Sequence, residues 1–154
     1  MPKANILIVE DEAVVAADLA GKLERAGYRT IAVASDGEDA IETAKALGPD
    51  LVLMDIRLAG SLDGIKTAER IQAFRSIPIV YLTAHSDMAT LRRAAATEPF
   101  GYILKPFDER DVTTQIEIAL YKHQAERRLR ESEERYLKLV ETDMDSIILS
   151  ITPA

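Results

Sequence analysis

The feature that most constrains the fold of this chain is a regular alternation of five short aliphatic runs with segments of helical spacing. The runs are rich in Ile, Val and Leu and contain no charge, which is typical of strands buried on both faces. The connections are short, which favours a parallel sheet with right-handed crossovers and helices on both faces. The predicted strands lie at residues 4–9, 30–34, 51–54, 77–82 and 100–104, and the predicted helices at 13–26, 38–47, 64–74, 87–96 and from 108 onward.

Polar residues follow four of these runs at the point where each run ends. Because the carboxyl ends of parallel strands meet at one edge, where open α/β sheets bind ligands, we expect these side chains to converge. Three carboxylates, a hydroxyl and an ammonium at one edge make a site for a divalent cation and a phosphoryl group. A strand order of 2-1-3-4-5 is favoured, because it makes the first and third strands neighbours and keeps the group together. The residues are Glu10, Asp11, Asp55, Thr83 and Lys105.

Length and composition restrict the class of protein. At 154 residues the chain is long enough for one domain with a real core, and 47% of its residues are apolar. A net charge of −7 argues against direct nucleic-acid binding, which needs a basic face. The absence of Cys excludes disulfides and thiolate metal sites. With no basic-then-apolar leader and no apolar run near ~18 residues, we expect a cytoplasmic protein and no membrane contact in this fragment.

Four short motifs occur in order along the chain: VEDE at 9–12, LMDI at 53–56, LTA at 82–84 and GYILKPF at 101–107. Together they resemble the receiver domain of two-component response regulators, over about residues 4–121. The resemblance implies a flavodoxin-like (βα)5 fold, a doubly wound parallel sheet of order 2-1-3-4-5. It also implies that a histidine kinase or a phosphotransfer protein donates a phosphoryl group from a phosphohistidine to an aspartate of this domain.

The resemblance assigns roles to the residues at the strand ends. Asp55 would be the phosphoacceptor, and Mg²⁺, or Mn²⁺ in its place, would offset the repulsion between its carboxylate and the incoming phosphoryl oxygens. Asp11 and Asp55 resemble direct metal ligands, and Glu10 resembles a ligand that acts through water. The backbone carbonyl of Arg57 would be a further ligand, and such oxygen donors suit these ions.

Besides the acceptor, catalytic roles fall to Lys105, which would pair with one phosphoryl oxygen, and to Thr83, whose hydroxyl would bond another. In the family the aromatic residue matching Tyr102 turns inward when the threonine shifts, so Thr83 and Tyr102 would form a two-state switch. The switch would act on the face made by the predicted helix at 87–96, the fifth strand and the last helix. Such a domain catalyses only its own phosphorylation and dephosphorylation and is not an enzyme. The resemblance also suggests a cis peptide bond between Lys105 and Pro106.

Each of these residues also has a purely structural interpretation. Asp11 is a favoured helix N-cap, Asp55 a common turn residue, and Thr83 a residue type that caps helices. Tyr102 fits a core-edge position with a hydrated hydroxyl. Lys105 is harder to explain in this way, since a lysine directly after a buried strand needs a nearby anion. The structural interpretation requires all of them to meet at one edge by coincidence.

Two departures from the family pattern affect the site. Glu10 stands where the family more often has Asp, so the metal would be held by a longer arm or through water. The loop from Asp55 to Asp63-Gly64 is one residue longer than the commonest spacing, with Ala59 where proline is frequent. Access to the acceptor and the lifetime of its phosphoryl group are therefore left open.

The residues after the fifth strand predict a long helix, because no Pro or Gly occurs from Asp108 to Glu141. Nine of the fourteen residues at 122–135 are charged, with opposite charges four residues apart, but such pairs alone stabilise an exposed helix only weakly. A mostly apolar seam at spacings of three and four predicts a parallel coiled-coil homodimer, the alternative being a solvated, fraying helix. The seam consists of Ile118, Tyr121, Ala125, Leu129, Ser132, Tyr136 and Leu139. The homodimer would also use the face made by the helix at 87–96, the fifth strand and the last helix.

The last residues, EERYLKLVETDMDSIILSI at 133–151, resemble the start of a PAS sensor domain, a leading helix followed by a first strand. We therefore expect a receiver domain at 1–121, a coiled-coil-like linker at 122–141 and a truncated PAS-like start at 142–154. This predicts that the native chain continues into a PAS-containing signalling protein, such as a histidine kinase, rather than into a DNA-binding domain.

Two other functions remain open on the sequence. The first is a phosphorylation-incompetent receiver that serves only as a dimerising scaffold. The second is an aspartate-nucleophile phosphatase of the haloacid dehalogenase type. That class has Asp-x-Asp after its first strand, where this chain has Glu10-Asp11-Glu12.

Overall fold

A five-stranded parallel sheet forms the centre of the computed structural model, which describes residues 2–87, 89–90 and 100–151. The strand order is β2-β1-β3-β4-β5, which confirms the predicted fold class and order. The strands are β1 Asn5–Val9, β2 Arg29–Ala34, β3 Leu51–Asp55, β4 Ile79–Thr83 and β5 Gly101–Leu104. Their ends differ from the predicted ones by at most two residues, within the usual uncertainty of strand boundaries.

Helices follow the strands as the sequence predicts. They are α1 Ala13–Arg25, α2 Gly37–Leu47, α3 Gly64–Phe74 and a C-terminal helix Glu109–Ile151. A short 3₁₀ turn, His85–Asp87, follows β4, and residues 89–90 are helical. Residues 88 and 91–96 of the helix predicted at 87–96 lie outside the described residues.

Carboxylate caps determine where three of these helices begin. α2, α3 and the C-terminal helix each start after an Asp that accepts a hydrogen bond from a first-turn backbone N–H, which would otherwise be unpaired. The pairs are Asp36 with Asp39 N, Asp63 with Lys66 N and Asp108 with Arg110 N, each at 2.8 Å. α1 is different, because its N-cap is Glu12 and no side chain caps it. The interpretation of Asp11 as the N-cap of this helix is therefore wrong.

The core lies in two layers, one on each face of the sheet, and β1 contributes to both. Ile6 and Ile8 pack with α1 and the first turns of the C-terminal helix, whereas Leu7 and Val9 pack with α2 and α3. All four side chains are fully buried. Burying each such side chain stabilises the fold by about 1.5–3 kcal/mol, so the central strands hold their carboxyl ends firmly in place.

The chain divides into two compact units, Met1–Tyr121 and Lys122–Ala154. The C-terminal helix continues to Ile151, so the segment that resembles the start of a PAS domain is helical in this chain, and its assignment to a PAS-like domain stays a prediction. No helix breaker occurs before Pro153, and a single strand would have no partner for its backbone groups. Within the described residues, no helix is both long and apolar enough to cross a bilayer.

Candidate functional site

Three carboxylates converge at the carboxyl edge of the sheet. Glu10 directly follows β1, and its backbone N–H donates to the carbonyl of Ala34 at 3.0 Å, which extends the pairing of β1 with β2. Asp55 is the last residue of β3. Glu10 and Asp55 are buried, whereas Asp11 is exposed. One oxygen from each of the three lies within 4.8 Å of the others, so the structure brings these residues together as predicted.

Lys105 reaches the carboxylates from the end of β5. Its backbone N–H donates to the carbonyl of Thr83 at 2.8 Å, which fixes its position beside the end of β4. Its Nζ lies 3.1 Å from Asp55 Oδ2 and 3.4 Å from Glu10 Oε2. The expectation that this lysine needs an anion is confirmed, and it has two. The peptide bond to Pro106 is cis, as the family resemblance suggested.

The crowding of these charges changes their protonation. Burial, followed by the hydrogen bond and the charge of Asp55, raises the pKa of Glu10 from its ordinary value of 4.5 to about 7, although Lys105 opposes the shift. For Lys105, burial lowers the pKa, but the hydrogen bond and charge of Asp55, together with Glu10, outweigh burial and raise it overall. Desolvation and like charge act on the acid, whereas opposite charge dominates for the base.

Both carboxylate oxygens of Asp55 have partners. Oδ2 faces Lys105 at 3.1 Å, and Oδ1 accepts a hydrogen bond from the backbone N–H of Arg57 at 3.0 Å. The second contact is the local turn interaction expected of a structural aspartate. Asp55 therefore shapes the start of its loop as well as contributing to the carboxylate cluster, and the two interpretations do not compete.

α3 begins directly against the main chain of Asp55. Gly64, the first residue of α3, donates its N–H to the carbonyl of Ile56 at 3.0 Å, and a Cβ built on Gly64 would lie 2.0 Å from the Asp55 carbonyl oxygen. Only glycine allows this approach of two main chains. Gly64 stood out in the sequence only as the start of a helix, because a single sequence carries no signal for such a contact.

The lengthened loop after β3 is anchored close to α3. Leu62 is buried against α2, where a Cβ built on Gly37 would lie 2.8 Å from the Leu62 Cβ. Ala59, Gly60 and Ser61 are exposed, and Gly60 has a φ of 97° that favours glycine. The loop therefore accommodates its additional residue at an exposed tip.

Arg57 makes a contact that sequence reasoning missed. Its Nε and Nη2 each lie 2.6 Å from Asp87 Oδ1, which joins the loop after β3 to the 3₁₀ turn after β4. The Asp87 side chain is only 6% exposed, whereas that of Arg57 is 73% exposed. The role of the Arg57 backbone carbonyl as a metal ligand stays a prediction.

Thr83 and Tyr102 lie on neighbouring strands beside the cluster. Thr83 is the buried last residue of β4, and its hydroxyl donates a long hydrogen bond of 3.3 Å to the carbonyl of Ala84, which is not a helix cap. Tyr102 is half-buried in β5, and its ring stacks on that of Tyr81 with 6.2 Å between centroids and 24° between planes. Burial raises the pKa of the Tyr102 hydroxyl.

The carboxylate cluster fits a magnesium ion. Mg²⁺ holds oxygen ligands at about 2.0–2.1 Å, so ligands on opposite sides of the ion are about 4.2 Å apart. Adjacent ligands of the octahedron are about 2.9 Å apart. The oxygens of Glu10, Asp11 and Asp55 lie within 4.8 Å of one another, so they must move closer together to hold the ion directly, and a ligand that acts through water needs less movement. Since Asp11 is exposed, the site is open to the waters that Mg²⁺ usually keeps.

Comparison with known sequences identifies a matching family, the response regulator receiver domain, over residues 6–117. The transcriptional regulatory protein PdtaR of Mycobacterium tuberculosis is 41% identical over 116 residues, which cover 75% of this chain and 56% of PdtaR. YvrH of Bacillus subtilis, also a transcriptional regulatory protein, is 34% identical over 116 residues, 75% of this chain and 48% of YvrH. The chain thus spans about half the length of the curated relatives it matches.

A solved structure with the same fold is the signal receiver domain of a modulated diguanylate cyclase from Desulfovibrio desulfuricans. It is 41% identical with a TM-score of 0.76, over 80% of this chain and 98% of that one. Another is the N-terminal domain of a response regulator/sensory box/GGDEF three-domain protein from Carboxydothermus hydrogenoformans. It is 37% identical with a TM-score of 0.73, over 79% of this chain and 98% of that one.

Proposed function

Because the chain belongs to the response regulator receiver domain family, we propose that it is a phosphorylation-controlled signalling switch with Asp55 as its phosphoacceptor. Receiver domains of this family take phosphoryl groups from histidine kinases. The assignment rests on the position of the Asp55 carboxylate, which lies at the end of the central strand β3, 3.1 Å from Lys105 and beside two further carboxylates. An anion arriving there would meet a cation and a metal-binding cluster at once.

In the proposed reaction a carboxylate oxygen of Asp55 attacks the phosphorus of the donor's phosphohistidine. The O–P bond forms as the N–P bond breaks, and the imidazole nitrogen keeps the electron pair and takes up a proton. Mg²⁺ held by Asp11, Asp55 and the Arg57 carbonyl, with Glu10 acting through water, would offset the negative charge that accumulates between carboxylate and phosphoryl oxygens. Hydrolysis of the acyl phosphate returns the domain to its starting state, so the chemistry is confined to the chain itself.

Lys105 exchanges one anion for another during this transfer. Its ammonium compensates Asp55 and Glu10 before the reaction. After transfer the attacking oxygen of Asp55 is bonded to phosphorus, and the phosphoryl oxygens become the strongest anionic partners for the ammonium. A raised pKa keeps Lys105 protonated in its present surroundings, so it is ready to form this charge-assisted hydrogen bond.

Thr83 and Tyr102 transmit the change to the surface. The 3.3 Å hydrogen bond from the Thr83 hydroxyl to Ala84 is long, so exchanging it for a bond to a charged phosphoryl oxygen is favourable. The shift of Thr83 makes room beside β5, and Tyr102 turns inward from its present contact with Tyr81. This biases the face made by the predicted helix at 87–96, β5 and the C-terminal helix.

The C-terminal helix carries the signal onward as a parallel homodimer. Large side chains of its predicted seam are exposed: Tyr121 by 72%, Leu129 by 61% and Tyr136 by 66%. Exposed apolar side chains at this spacing on one helix are typical of an interaction face. The seam pairs with a second copy, assisted by the switch face, and couples to a PAS-type module. The Carboxydothermus protein combines a response regulator with a sensory box in one three-domain chain, which supports such a coupling.

Two further parts of this proposal are the absence of direct nucleic-acid binding and a cytoplasmic location. A net charge of −7 disfavours direct binding of nucleic acid. A cytoplasmic location, where histidine kinases donate their phosphoryl groups, is part of the same proposal.

Phosphorylation by a small-molecule donor tests the function. The chain is incubated with Mg²⁺ and acetyl phosphate, and its intact mass is measured beside that of Asp55→Asn. A labile phosphoryl adduct that is absent from the variant supports the switch. A wild type without adduct would favour the phosphorylation-incompetent scaffold. In a parallel incubation with a phosphate ester and Mg²⁺, multiple turnover of the ester would favour the haloacid dehalogenase-type phosphatase.

A further inference from the structure

An ion pair between Arg57 and Asp87 connects the loops that follow the two strands bearing Asp55 and Thr83. Arg57 lies two residues after Asp55, and Asp87 ends the 3₁₀ turn after β4. Arg57 Nε and Nη2 both approach the same oxygen, Asp87 Oδ1, at 2.6 Å. A guanidinium that binds two oxygens in parallel has the stronger geometry. The observed contact is therefore one that a better-matched anion can replace.

The two partners differ in their exposure to water. The Arg57 side chain is 73% exposed, so its guanidinium can change rotamer with little loss of packing. The Asp87 side chain is 6% exposed, and a buried carboxylate is costly without a cation beside it. The turn that contains Asp87 therefore depends on Arg57 more than Arg57 depends on the turn.

Arg57 also contacts the acceptor itself. Its backbone N–H donates to Asp55 Oδ1 at 3.0 Å, so its long side chain originates beside the position where a phosphoryl group would be attached. A phosphoryl group offers about two negative charges and three acceptor oxygens, and its geometry matches the fork of a guanidinium. It is a stronger partner for Arg57 than a single oxygen of Asp87.

We propose that Arg57 exchanges Asp87 for the phosphoryl group when Asp55 is phosphorylated, and that loss of this pair releases the turn His85–Asp87. The inference rests on the proposed function of Asp55 and adds a second route out of the site, separate from Tyr102. The turn leads to the helical residues 89–90, so its release alters the segment directly after Thr83. In the unphosphorylated chain the ion pair restrains the conformation of that segment.

The exchange gives the two residues opposite effects on the phosphorylated state. Arg57 stabilises that state by pairing with the phosphoryl group, whereas Asp87 opposes it by competing for the same guanidinium. Removing the charge of Asp87 should favour the state, and removing that of Arg57 should disfavour it. Removing both should have the effect of removing Arg57 alone, because Asp87 then has nothing to compete for. If the two residues acted on the phosphoryl group only through their charges, without an exchange, their effects would add, and the double variant would bind nearly as well as the wild type.

Beryllofluoride, a noncovalent phosphoryl mimic, tests this with the full 154-residue chain and Mg²⁺ by isothermal titration calorimetry. Partly exposed ion pairs are worth up to about 1 kcal/mol, so Asp87→Asn should bind the mimic about two- to fivefold more tightly and Arg57→Gln about two- to fivefold more weakly. The double variant should match Arg57→Gln. Arg25→Gln is the matched control, because it removes another Arg–carboxylate pair, with Glu109 at 3.0 Å, that involves no residue of the cluster. Its affinity for the mimic should equal that of the wild type.

Failure of the exchange and failure of the proposed function give different results. If the wild type binds the mimic but Asp87→Asn binds it equally or more weakly, the exchange is wrong and the acceptor assignment stands. If the wild type does not bind the mimic, the proposed function fails and the exchange fails with it. Should Asp87→Asn unfold, Arg57→Gln decides alone. Unchanged affinity in that variant would overturn the exchange.

Discussion

Lys105 Nζ lies 3.1 Å from Asp55 Oδ2, although 50 positions separate the two residues in the chain. β4 lies between their strands, so the ammonium extends across the end of β4 to reach the carboxylate. It also faces Glu10 at 3.4 Å. Because three charged groups share this edge, the protonation of each affects the free energy of the others.

Replacing Lys105 by Met should destabilise the chain by about 1–3 kcal/mol near pH 8. Met keeps the apolar stem but leaves Asp55 and Glu10 without a cation, and the 28% exposure of Lys105 moderates the loss. The loss should shrink near pH 5, where a protonated Glu10 reduces the repulsion. Urea unfolding at both pH values measures it. Lys22→Met is the control, since its pair with Asp18 within α1 is worth only about 0.5 kcal/mol. Equal losses in the two variants would contradict the prediction.

The raised pKa of Glu10 predicts the direction in which stability depends on pH. Glu10 binds a proton more tightly in the folded chain, with a pKa of about 7, than at its ordinary value of 4.5. Its contribution to stability is therefore complete below pH 4.5 and is lost as the pH rises through 7. Glu10→Gln cannot titrate at this position. The free energy of unfolding of the wild type minus that of the variant should therefore fall by on the order of 3 kcal/mol between pH 4 and pH 8. Urea unfolding across this range measures the difference, and a pH-independent difference would count against the shift.

Magnesium should stabilise the chain more strongly as the pH rises. Metal ligands must be deprotonated, and a deprotonated Glu10 adds negative charge beside the ion. The increase in melting temperature on adding tens of millimolar Mg²⁺ should therefore be larger at pH 8 than at pH 6. Asp11→Asn, which removes an exposed carboxylate of the cluster, should reduce the increase at both pH values. A wild-type melting temperature that Mg²⁺ does not change would argue against the metal site.

The parts of this structure that could be predicted from the sequence are those with local signals. An uninterrupted aliphatic run predicts a buried strand, and the first polar residue after it marks the carboxyl edge. Parallel pairing then brings residues as distant as Asp55 and Lys105 to one place. The convergence of these residues could therefore be predicted without knowing their individual contacts.

The parts that could not be predicted depend on contacts between segments that are distant in the sequence, or on the structure of the neighbouring residues. Arg57 and Asp87 are 30 positions apart and are residue types common at any surface, so nothing marks them as a pair. The need for glycine at Gly64 depends on where α3 begins relative to the main chain of Asp55. The aliphatic run at 147–151 suits a strand by composition, but in the structure it continues a helix. Composition alone does not separate these two states in a short run.

Substituting Ala for Gly64 should destabilise the chain by more than about 2 kcal/mol. The added Cβ would lie 2.0 Å from the Asp55 carbonyl oxygen, so either the start of α3 or the end of β3 must move. Phosphorylation by acetyl phosphate should slow as well, because the moved main chain belongs to the acceptor.

Gly21→Ala is the matched control for this substitution. Gly21 lies inside α1, where the nearest atom to a new Cβ is the end of the Arg25 side chain at 3.4 Å. Alanine should there stabilise the chain by up to about 1 kcal/mol, through its higher helix propensity. Urea unfolding should thus give opposite signs for the same chemical change, and equal signs would show that the contact at Gly64 is not restrictive.

Polar substitution in the C-terminal helix should weaken the homodimer only on the predicted seam. Leu129 and Leu137 lie on the same helix and are 61% and 57% exposed, but only Leu129 belongs to the seam. Burying a leucine contributes about 1.5–3 kcal/mol, so Leu129→Asn should raise the dimer dissociation constant about 10- to 100-fold. Leu137→Asn should leave it nearly unchanged, although it removes the same side chain from an equally exposed position.

Sedimentation equilibrium of the full chain, with and without beryllofluoride and Mg²⁺, measures both variants against the wild type. If phosphorylation promotes the dimer, the mimic should lower the wild-type dissociation constant but should not rescue Leu129→Asn, because the seam itself is damaged. Equal weakening by the two leucine substitutions would mean that association is not confined to the seam. A wild type that stays monomeric at high micromolar concentration in both conditions would leave the helix as the solvated alternative, with its apolar side chains exposed to water.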